Sequence, residues 1–371
     1  MPKTVVMPRP IATDARADLA TTLDRVASGH VRTISRCISE IENATARASE
    51  LVAALDPRAG SALVIGVTGV PGGGKSTLVP ELARRMARDD RRSAILAVDP
   101  SSPLSGGAIL GDRIRASEPA GSGLFFRSVA SRGSLGGLSR TLDDVVTLLD
   151  AAGYGAIVIE TVGTGQSEIA VTRLAHTTLL VTAPGLGDEI QAMKAGILET
   201  ADIIVVNKAD SDPRGAVATA ETLRNALSFS MRAHGLVEGA NPATADRPAS
   251  WHAPVRVVSA LKGDGLEELV GVITAHRDFL AATQGFGEWR RRRRLARFRE
   301  ALRDALAARA SADHEGLLRQ AEDEVVAGAS TPVGAATRIA ETLIKNDESA
   351  PGRYPSAVVS GIETTDQGAP Q

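Results

Sequence analysis

The sequence has a single cysteine, few aromatic residues and no apolar run long enough to cross a bilayer. Cys37 alone excludes an intramolecular disulfide and matches no metal-binding spacing. Aromatic residues make up 3% of the 371 residues and the net charge is only −2, so the composition provides no general attraction to nucleic acid or to an anionic membrane. The first 16 residues lack the apolar core of a signal peptide. We therefore expect a cytoplasmic globular protein with no nucleic-acid and no membrane partner.

Short apolar runs alternate with helical patterns between residues 62 and about 275. The runs are continuously apolar, which is typical of strands that are covered on both faces. The predicted strands are Ala62–Val67, Ala94–Asp99, Leu124–Val129, Ala156–Glu160, Thr178–Thr182, Ile203–Val206 and Val255–Ser259. This alternation predicts an α/β fold with a mostly parallel sheet flanked by helices.

Helical patterns without strand signals flank this region and predict N-terminal and C-terminal helical extensions. We expect a helical N-terminal extension over residues 1–57 with a flexible leader to about residue 16, an α/β domain over 58–285, a helical region over 286–346 and a disordered tail over 347–371. Pro332 is predicted to begin the last helix, because its fixed φ suits a first helical turn. The five arginines at 290–294 are interpreted as a solvated helix face whose stems cover apolar surface.

A phosphate-binding loop follows the first predicted strand. Residues 69–76 fit the pattern G-x-x-x-x-G-K-[ST] and precede a helical pattern, which is the context this motif requires. Glycines let backbone amides approach phosphate oxygens, the lysine contacts the β- and γ-phosphates, and the serine hydroxyl binds Mg²⁺. The predicted nucleotide-binding residues here are Gly69, Gly72, Gly73, Gly74, Lys75, Ser76 and Thr77. The fold class is therefore that of the P-loop NTPases.

Two further segments predict that the base is guanine. Asn207-Lys208-Ala209-Asp210 follows a predicted strand and matches N-K-x-D, in which the aspartate accepts hydrogen bonds from a donor pair that adenine lacks. The asparagine braces the loop, and the lysine stem covers the base. About fifty residues later, Ser259-Ala260-Leu261 resembles the loop whose backbone N–H faces guanine O6. Together these motifs predict GTP and GDP rather than adenine nucleotides.

Carboxylates after two predicted strands are candidate magnesium ligands. Asp99 ends the second strand, and Asp112 follows a glycine-containing segment. Because the carboxyl ends of the strands are where a P-loop sheet meets its metal, Asp99 is a candidate Mg²⁺ ligand beside Ser76, and the glycines before Asp112 suit a loop that orders around the ion. Glu160 joins them as the first residue of Glu160-Thr-Val-Gly163, which resembles a D-x-x-G switch with Glu in place of Asp.

The hydrolytic residues are less sharply defined by the sequence. Gly163 can donate its N–H to the γ-phosphate, and Glu160 can hold a metal-bound water or help to orient the attacking one. Gln166 is either a water-positioning residue or a loop amide unrelated to hydrolysis. Arg113 and Arg132 are candidates for an intrinsic arginine finger, and slow hydrolysis that a partner accelerates is the expected behaviour.

These segments together resemble the MeaB/ArgK-type GTPases, the chaperones associated with methylmalonyl-CoA mutase. The resemblance runs from about residue 20 to 345 and is carried by residues 69–77, 97–102, 106–112, 160–168, 187–191, 207–210 and 259–265. Val70 and Gly73 depart from the commoner loop residues without disturbing the backbone amides that bind phosphate. The tail after Asp347 is also less typical.

The resemblance implies more than the motifs do by themselves. It implies a homodimer joined through C-terminal helices. It also implies that Asp99, Asp112 and Glu160 surround Mg²⁺, and that a third switch contains Asp188 and Lys194, with Lys194 sensing the partner. The implied partner is an adenosylcobalamin-dependent acyl-CoA mutase. GTP hydrolysis would gate the loading, release and protection of the cofactor of this mutase, in concert with an adenosyltransferase. Without the resemblance, Asp188 at a helix start is equally a favourable cap.

Three alternatives remain open at this point. A nickel-delivery GTPase has a related P-loop domain but needs metal ligands, and one cysteine with six dispersed histidines forms no visible cluster. A kinase of an amino-acid transport system would favour ATP, which N-K-x-D argues against. A module that binds without hydrolysis conflicts with the intact Lys75, Ser76, Asp99 and Glu160.

Overall fold

The computed structural model describes residues 11–87, 92–100, 124–131, 135–161, 166–186, 200–233, 251–283, 285–313 and 315–348. All seven predicted strands are present. They are β1 (Leu63–Gly69), β2 (Arg92–Pro100), β3 (Leu124–Ser131), β4 (Tyr154–Thr161), β5 (Thr177–Thr182), β6 (Ile203–Val206) and β7 (Val255–Val257). They form one parallel sheet in the order β3-β2-β4-β1-β5-β6-β7. The predicted fold class is therefore confirmed.

Helices alternate with the strands and extend beyond them at both ends. Within the described residues they are α1 (Ile11–Ala27), α2 (Val31–Glu42), α3 (Ala46–Leu55), α4 (Lys75–Met86), α5 (Leu135–Ala151), α6 (Gln166–Leu174), α7 (Pro213–Ala233), α8 (Leu266–Ala282), α9 (Gly285–Asp313), α10 (Glu315–Val326) and α11 (Pro332–Glu348). The last helix begins at Pro332 as predicted. The first begins at Ile11, within the segment to about residue 16 that the sequence predicts as a flexible leader.

The N-terminal helices belong to the core of the α/β domain. Ile34, Cys37, Ile38 and Ile41 recur along one face of α2 and are buried in a cluster with α3, α5 and one face of the sheet. Burial raises the pKa of the Cys37 thiol to about 11, as expected for a small apolar core residue. Gly29, with φ +74°, allows the chain to turn between α1 and α2.

The opposite face of the sheet is covered by α4 and α8. Leu78 and Leu82 of α4 pack with Leu269 and Ile273 of α8 in a second buried cluster. A third cluster joins α7 to β5, β6 and β7. Helices on both faces explain why the strands are apolar throughout, and they leave the strand ends as the places where polar groups can gather.

The first turns of α9 are attached to the domain by one buried aromatic residue. Trp289 is 7% exposed, its Nε1 donates to the Leu174 carbonyl at 3.2 Å, and its ring centroid lies 3.7 Å from that of His176. Arg293 is ion-paired with Asp143 and donates to the Thr147 hydroxyl at 2.7 Å. The interpretation of residues 290–294 as a solvated face therefore holds for its exposed members but not for Arg293.

The chain divides into two compact units, residues 1–295 and 296–371. In the second unit, α10 and α11 pack against each other, and an ion pair joins Arg338 to Glu324. A groove of about 460 Å³ between these helices is lined by Leu318, Ala321, Glu322, Val325, Val326, Pro332, Ala335, Ala336, Ile339 and Ala340. No helix in the described ranges is both long enough and apolar enough to span a membrane.

Candidate functional site

The phosphate loop lies where β1 passes into α4. Gly69 ends the strand with φ +139°, and a Cβ there would lie 1.9 Å from the Val181 carbonyl oxygen of β5. Gly74, with φ +87°, precedes the first residue of α4, and a Cβ there would lie 2.4 Å from Asn207 Nδ2. These two glycines are therefore required by close backbone approach as well as by dihedral angle. The loop ends at a helix N-terminus, which favours bound anions.

Lys75 is buried at the first turn of α4, with 8% of its surface exposed. Its Nζ donates to the Gly69 carbonyl at 2.7 Å and to the Val70 carbonyl at 3.1 Å. Burial lowers the pKa of this amine, and the carboxylates of Glu160 and then Glu168 oppose that shift. The ammonium is thus held inside the loop and has one donor position left for a phosphate oxygen.

Two of the predicted magnesium ligands lie beside each other. Ser76 Oγ donates to Glu160 Oε1 at 2.7 Å, which joins the start of α4 to the carboxyl end of β4. In the strand register Ala97 pairs with Glu160, so Asp99, two residues further along β2, lies at the same edge of the sheet. A hydroxyl and a carboxylate in contact form a donor pair of the hard oxygen type that Mg²⁺ prefers, so the described residues fit this ion.

Asn207 joins the three predicted nucleotide segments. It follows β6 and is 2% exposed, and its Nδ2 donates to the Gly73 carbonyl at 3.0 Å and to the Gly74 carbonyl at 3.3 Å. Its Oδ1 accepts from the Ala260 backbone N–H at 2.9 Å. The bracing role predicted for this side chain is therefore present. Because each polar atom of the amide is used, Asn207 holds the base-reading loops in register with the phosphate loop.

Asp210 is oriented by a neighbouring loop. Ser259 Oγ donates to Asp210 Oδ1 at 2.6 Å and itself accepts from the Lys262 backbone N–H at 3.1 Å. The hydrogen bond from Ser259 is the largest cause of a lowered pKa at this carboxyl. The backbone N–H of Asp210 also donates to this carboxyl. An ionised carboxylate has about four acceptor positions, so it can still meet a base with paired donors.

The residues around this carboxylate provide an apolar setting for a base. Lys208 has φ +62°, an uncommon value for a lysine, and its Cε lies 3.6 Å from the position of a Cβ built on Gly74. The lysine stem therefore lies over the phosphate loop. Leu261 is 77% exposed beside Ala260, which leaves an apolar side chain uncovered at the same place.

Several predicted residues are only partly described or lie outside the described residues. Thr77 lies in the first turn of α4 and donates its backbone N–H to the Gly74 carbonyl at 3.2 Å. Gln166 begins α6, but only its backbone is described. The residues that lie outside the described ranges are Asp112, Arg113, Arg132, Gly163, Asp188 and Lys194. Among the described residues, no group of three or more His, Cys, Asp or Glu side chains is arranged to hold a metal ion.

The motifs alone assigned no role to Glu168. This carboxylate lies in the first turn of α6, is 6% exposed and interacts electrostatically with Lys75. A signal was present, since Glu168 lies eight residues after Glu160 in the segment that carries the family resemblance. That segment did not indicate, however, that the side chain would be buried rather than exposed at a helix start.

Comparisons with known proteins agree with this geometry. Residues 33–315 match the family described as methylmalonyl-CoA mutase-associated GTPase MeaB. A Pyrococcus abyssi protein named as a GTPase is 40% identical over 73% of this chain and 80% of its own length. GTPase ArgK of Escherichia coli is 35% identical over 72% of this chain and 78% of its own. A solved structure named LAO/AO transport system kinase superposes with a TM-score of 0.61, at 25% identity, over 91% of this chain and all of that one.

Proposed function

Because the chain belongs to the MeaB family of GTPases, we propose that its hydrolysis of GTP regulates an adenosylcobalamin-dependent acyl-CoA mutase. The hydrolysis itself is the activity of the family. The regulated partner is inferred from the family description and from motifs that reach well beyond the phosphate loop. The single observation that carries the assignment of the site is Asn207, which binds the phosphate loop and the loop at Ala260 at once.

We assign the phosphates of GTP to the loop and to Lys75. Backbone amides after Gly69 and the N-terminus of α4 would bind phosphate oxygens, and the Lys75 ammonium would contact the β- and γ-phosphates. The lysine is already desolvated and held by two carbonyls, so little reorganisation is needed to stabilise charge that develops during phosphoryl transfer. Gly163 is proposed to donate its N–H to the γ-phosphate.

Ser76, Glu160, Asp99 and Asp112 are proposed to hold Mg²⁺, directly or through water. When bound, Mg²⁺ would neutralise charge on the β- and γ-phosphates. The Ser76 hydroxyl would exchange its present hydrogen bond with Glu160 for a position beside the ion. Glu160 would then accept from a water, and Gln166, which follows at the start of α6, is a candidate for orienting the attacking water.

Guanine is proposed to lie between the Lys208 stem and Leu261, with Asp210 accepting from its ring N–H and its exocyclic amine. Ser259 keeps Asp210 ionised and fixed in orientation, which suits it to a paired donor. The Ala260 region would face guanine O6. Adenine would leave this carboxylate desolvated and unpaired, which is the basis of discrimination.

A homodimer is proposed from the second compact unit. Phe298, Leu302 and Leu306 recur along one face of α9, and each is between 46% and 62% exposed. The apolar groove between α10 and α11 is a second surface without a cover in the described residues. Exposed apolar surface of this kind marks an interface, and a second copy of the chain is the occupant that the family resemblance favours. Light scattering should show a dimer that Phe298→Glu converts to a monomer.

Lys194 and Asp188 are proposed to form the third switch that senses the mutase, with an adenosyltransferase as a further participant. The decisive experiment measures GTP turnover by the purified chain alone and after addition of candidate adenosylcobalamin-dependent mutases. We expect slow basal turnover that the correct mutase accelerates. Lys194→Ala should keep the basal rate and lose most of the acceleration. If no such mutase changes either turnover or nucleotide release, the proposed partnership is wrong.

A further inference from the structure

Residues 259–265, the base loop, carry contacts to which guanine recognition is assigned. Ser259 Oγ donates to Asp210 Oδ1 at 2.6 Å, and the Ala260 backbone N–H donates to Asn207 Oδ1 at 2.9 Å. Hydrogen bonds to a ligand depend on positions held within about 0.5 Å, and side chains outside the site commonly provide that support. A residue that holds the base loop in place is therefore a candidate for determining how well guanine is bound.

Backbone hydrogen bonds close the base loop into a compact turn. The Gly263 N–H donates to the Ser259 carbonyl at 2.8 Å, and the Ser259 N–H donates to the Asp264 carbonyl at 2.9 Å. Gly263 and Gly265 have φ values of +84° and +74°, which glycine adopts without steric cost. Because Ser259 is bonded to both residues at the far end of the turn, a contact made at Gly263 also fixes the position of Ser259.

Arg85, in the last turn of α4, lies against the outside of this turn. A Cβ built on Gly263 would lie 2.9 Å from Arg85 Nη2, so the guanidinium occupies the space that a side chain at Gly263 would need. Arg85 Nε lies 3.4 Å from Oε1 of Glu267, which belongs to the first turn of α8 just beyond the base loop. Only 21% of the Arg85 side chain is exposed, so its charge is mostly removed from water and needs such partners.

The guanidinium is held in this place from its own helix. Arg85 Nη1 donates to the Glu81 carbonyl at 3.0 Å and to Glu81 Oε2 at 2.6 Å. A guanidinium that is bonded to a carbonyl and a carboxylate one turn earlier has little freedom to leave Gly263. The same helix begins with Lys75 and Ser76 at the phosphate loop. Its first turn therefore contacts the phosphate loop, and its last turn contacts the base loop.

We propose that Arg85 is a positioning residue for guanine recognition, whose guanidinium fixes the base loop and thereby the orientation of Asp210. Arg85 acts through Ser259 and not through contact with the nucleotide. In this arrangement α4 sets the separation between the phosphate loop and the base loop. The inference rests on the proposed binding of guanine at Asp210 and does not depend on the identity of the partner enzyme.

Removal of the charge with most of the side-chain length kept tests this role. In Arg85→Met of the full chain with Mg²⁺ present, isothermal titration should show GDP binding about fivefold more weakly than to the wild type, as expected for the loss of one partly buried ionic contact. IDP, which lacks the exocyclic amine and offers Asp210 a single donor, should weaken by less than about twofold. Tripolyphosphate, which has no base, should bind unchanged. Arg85→Lys keeps the charge and should recover part of the GDP affinity.

The matched control is Arg84→Met, because Arg84 precedes Arg85 on the same helix and is also ion-paired with Glu81. This variant should bind all three ligands like the wild type. The inference is overturned if Arg85→Met keeps the dissociation constant of GDP within about twofold, or if Arg84→Met reproduces the change. It is also overturned if tripolyphosphate weakens by the same factor as GDP, or if Arg85→Lys recovers none of the GDP affinity.

The wild-type protein separates this inference from the assignment of the base site. If the wild type binds IDP as tightly as GDP, guanine is not read at Asp210, and the proposed base site is wrong. If the wild type prefers GDP and Arg85→Met keeps that preference in full, the base site stands and the role of Arg85 is wrong.

Discussion

At the carboxyl ends of the strands, Lys75 and Asp210 are each held by the protein but retain hydrogen-bonding capacity for a ligand. At the amino ends, Asp202, His276 and Thr177 form a network that is closed on itself. Asp202 accepts from the Thr178 N–H at 2.7 Å and lies 3.5 Å from His276 Nε2, and His276 Nδ1 lies 2.9 Å from the Thr177 hydroxyl. Similar residue types therefore serve binding at one edge and architecture at the other.

Burial and packing explain the difference between the two edges. Trp251 donates to the Asp202 carbonyl at 2.8 Å, and its ring lies 4.6 Å from His276, so an aromatic side chain covers the amino-edge network. A threonine, a histidine and an aspartate in contact are also the residue types of nucleophilic catalysis, but here the histidine is 2% exposed and its two ring nitrogens face Thr177 and Asp202. The carboxyl ends of the strands therefore differ from the amino ends in having side chains that can still bond a ligand, and not in the types of residue present.

Among the variants that test this comparison, Lys75→Ala is expected to change GTP turnover most. We expect GTP turnover to fall by about a thousandfold, since a preorganised positive charge at the transferring phosphate is lost. The free energy of unfolding should fall only modestly, because removal of the buried ammonium also removes its desolvation cost, which offsets part of what the two carbonyls and the nearby carboxylates lose. Turnover assays and denaturant titration measure the two quantities. Unchanged turnover would remove the phosphate-loop assignment.

The opposite pattern is expected for Trp289→Ala at the amino edge. Loss of a buried tryptophan typically costs about 3–5 kcal/mol, so the free energy of unfolding should fall by that amount. Turnover per folded molecule should be kept at a temperature where the variant is folded. Arg290→Ala, an exposed neighbour on the same helix, is the matched control and should change stability by less than about 0.5 kcal/mol. Equal losses of turnover and stability would contradict the separation of the edges.

Asp210→Asn tests the base reader at the carboxyl edge. An amide cannot accept from both guanine donors, so GTP affinity should fall about a hundredfold, which corresponds to about 3 kcal/mol. Xanthosine triphosphate, which presents an acceptor in place of the exocyclic amine, should bind better to the variant than to the wild type. Competition titrations with both nucleotides measure this preference. Parallel losses for both nucleotides would indicate that Asp210 supports the loop rather than reading the base.

The sequence predicted more of the site at the carboxyl ends of the strands than of the packing at their amino ends. Seven continuous apolar runs were sufficient to predict the sheet, and the glycine loop and N-K-x-D were sufficient to predict its nucleotide edge, because these motifs act through backbone geometry at fixed spacing. The burial of Glu168, Arg293 and Trp289 was not predictable, since each depends on a partner more than ninety residues away or on another element. The first helix was placed too late because residues 11–16 mix small, polar and charged residues and contain one large apolar residue, Ile11, so that they carry no apolar stripe.

The smallest expected effect is a change in how the stability of the folded protein depends on pH, and it comes from ionisable groups at the amino ends of the strands. Burial lowers the pKa of His176 to about 3 and of His276 to about 4, so the folded state binds fewer protons there and loses stability as pH falls from about 6.5. Burial raises the pKa of Asp202 to about 6, so the folded state retains a proton that the unfolded state releases, and this contribution to stability grows as pH falls below 6.

Between about pH 6 and pH 4 the contributions of these histidines and of Asp202 oppose each other, so Asp202→Asn should make acid destabilisation steeper in that window. Thermal midpoints at half-unit pH steps measure the slope, and GTP turnover near neutral pH should be unchanged. Asp278→Asn, an exposed aspartate of α8, removes the same charge outside the network and should follow the wild type. If the Asp202→Asn and wild-type curves run parallel, the carboxyl is not protonated in the folded protein, and the closed network at the amino edge then contains a charge.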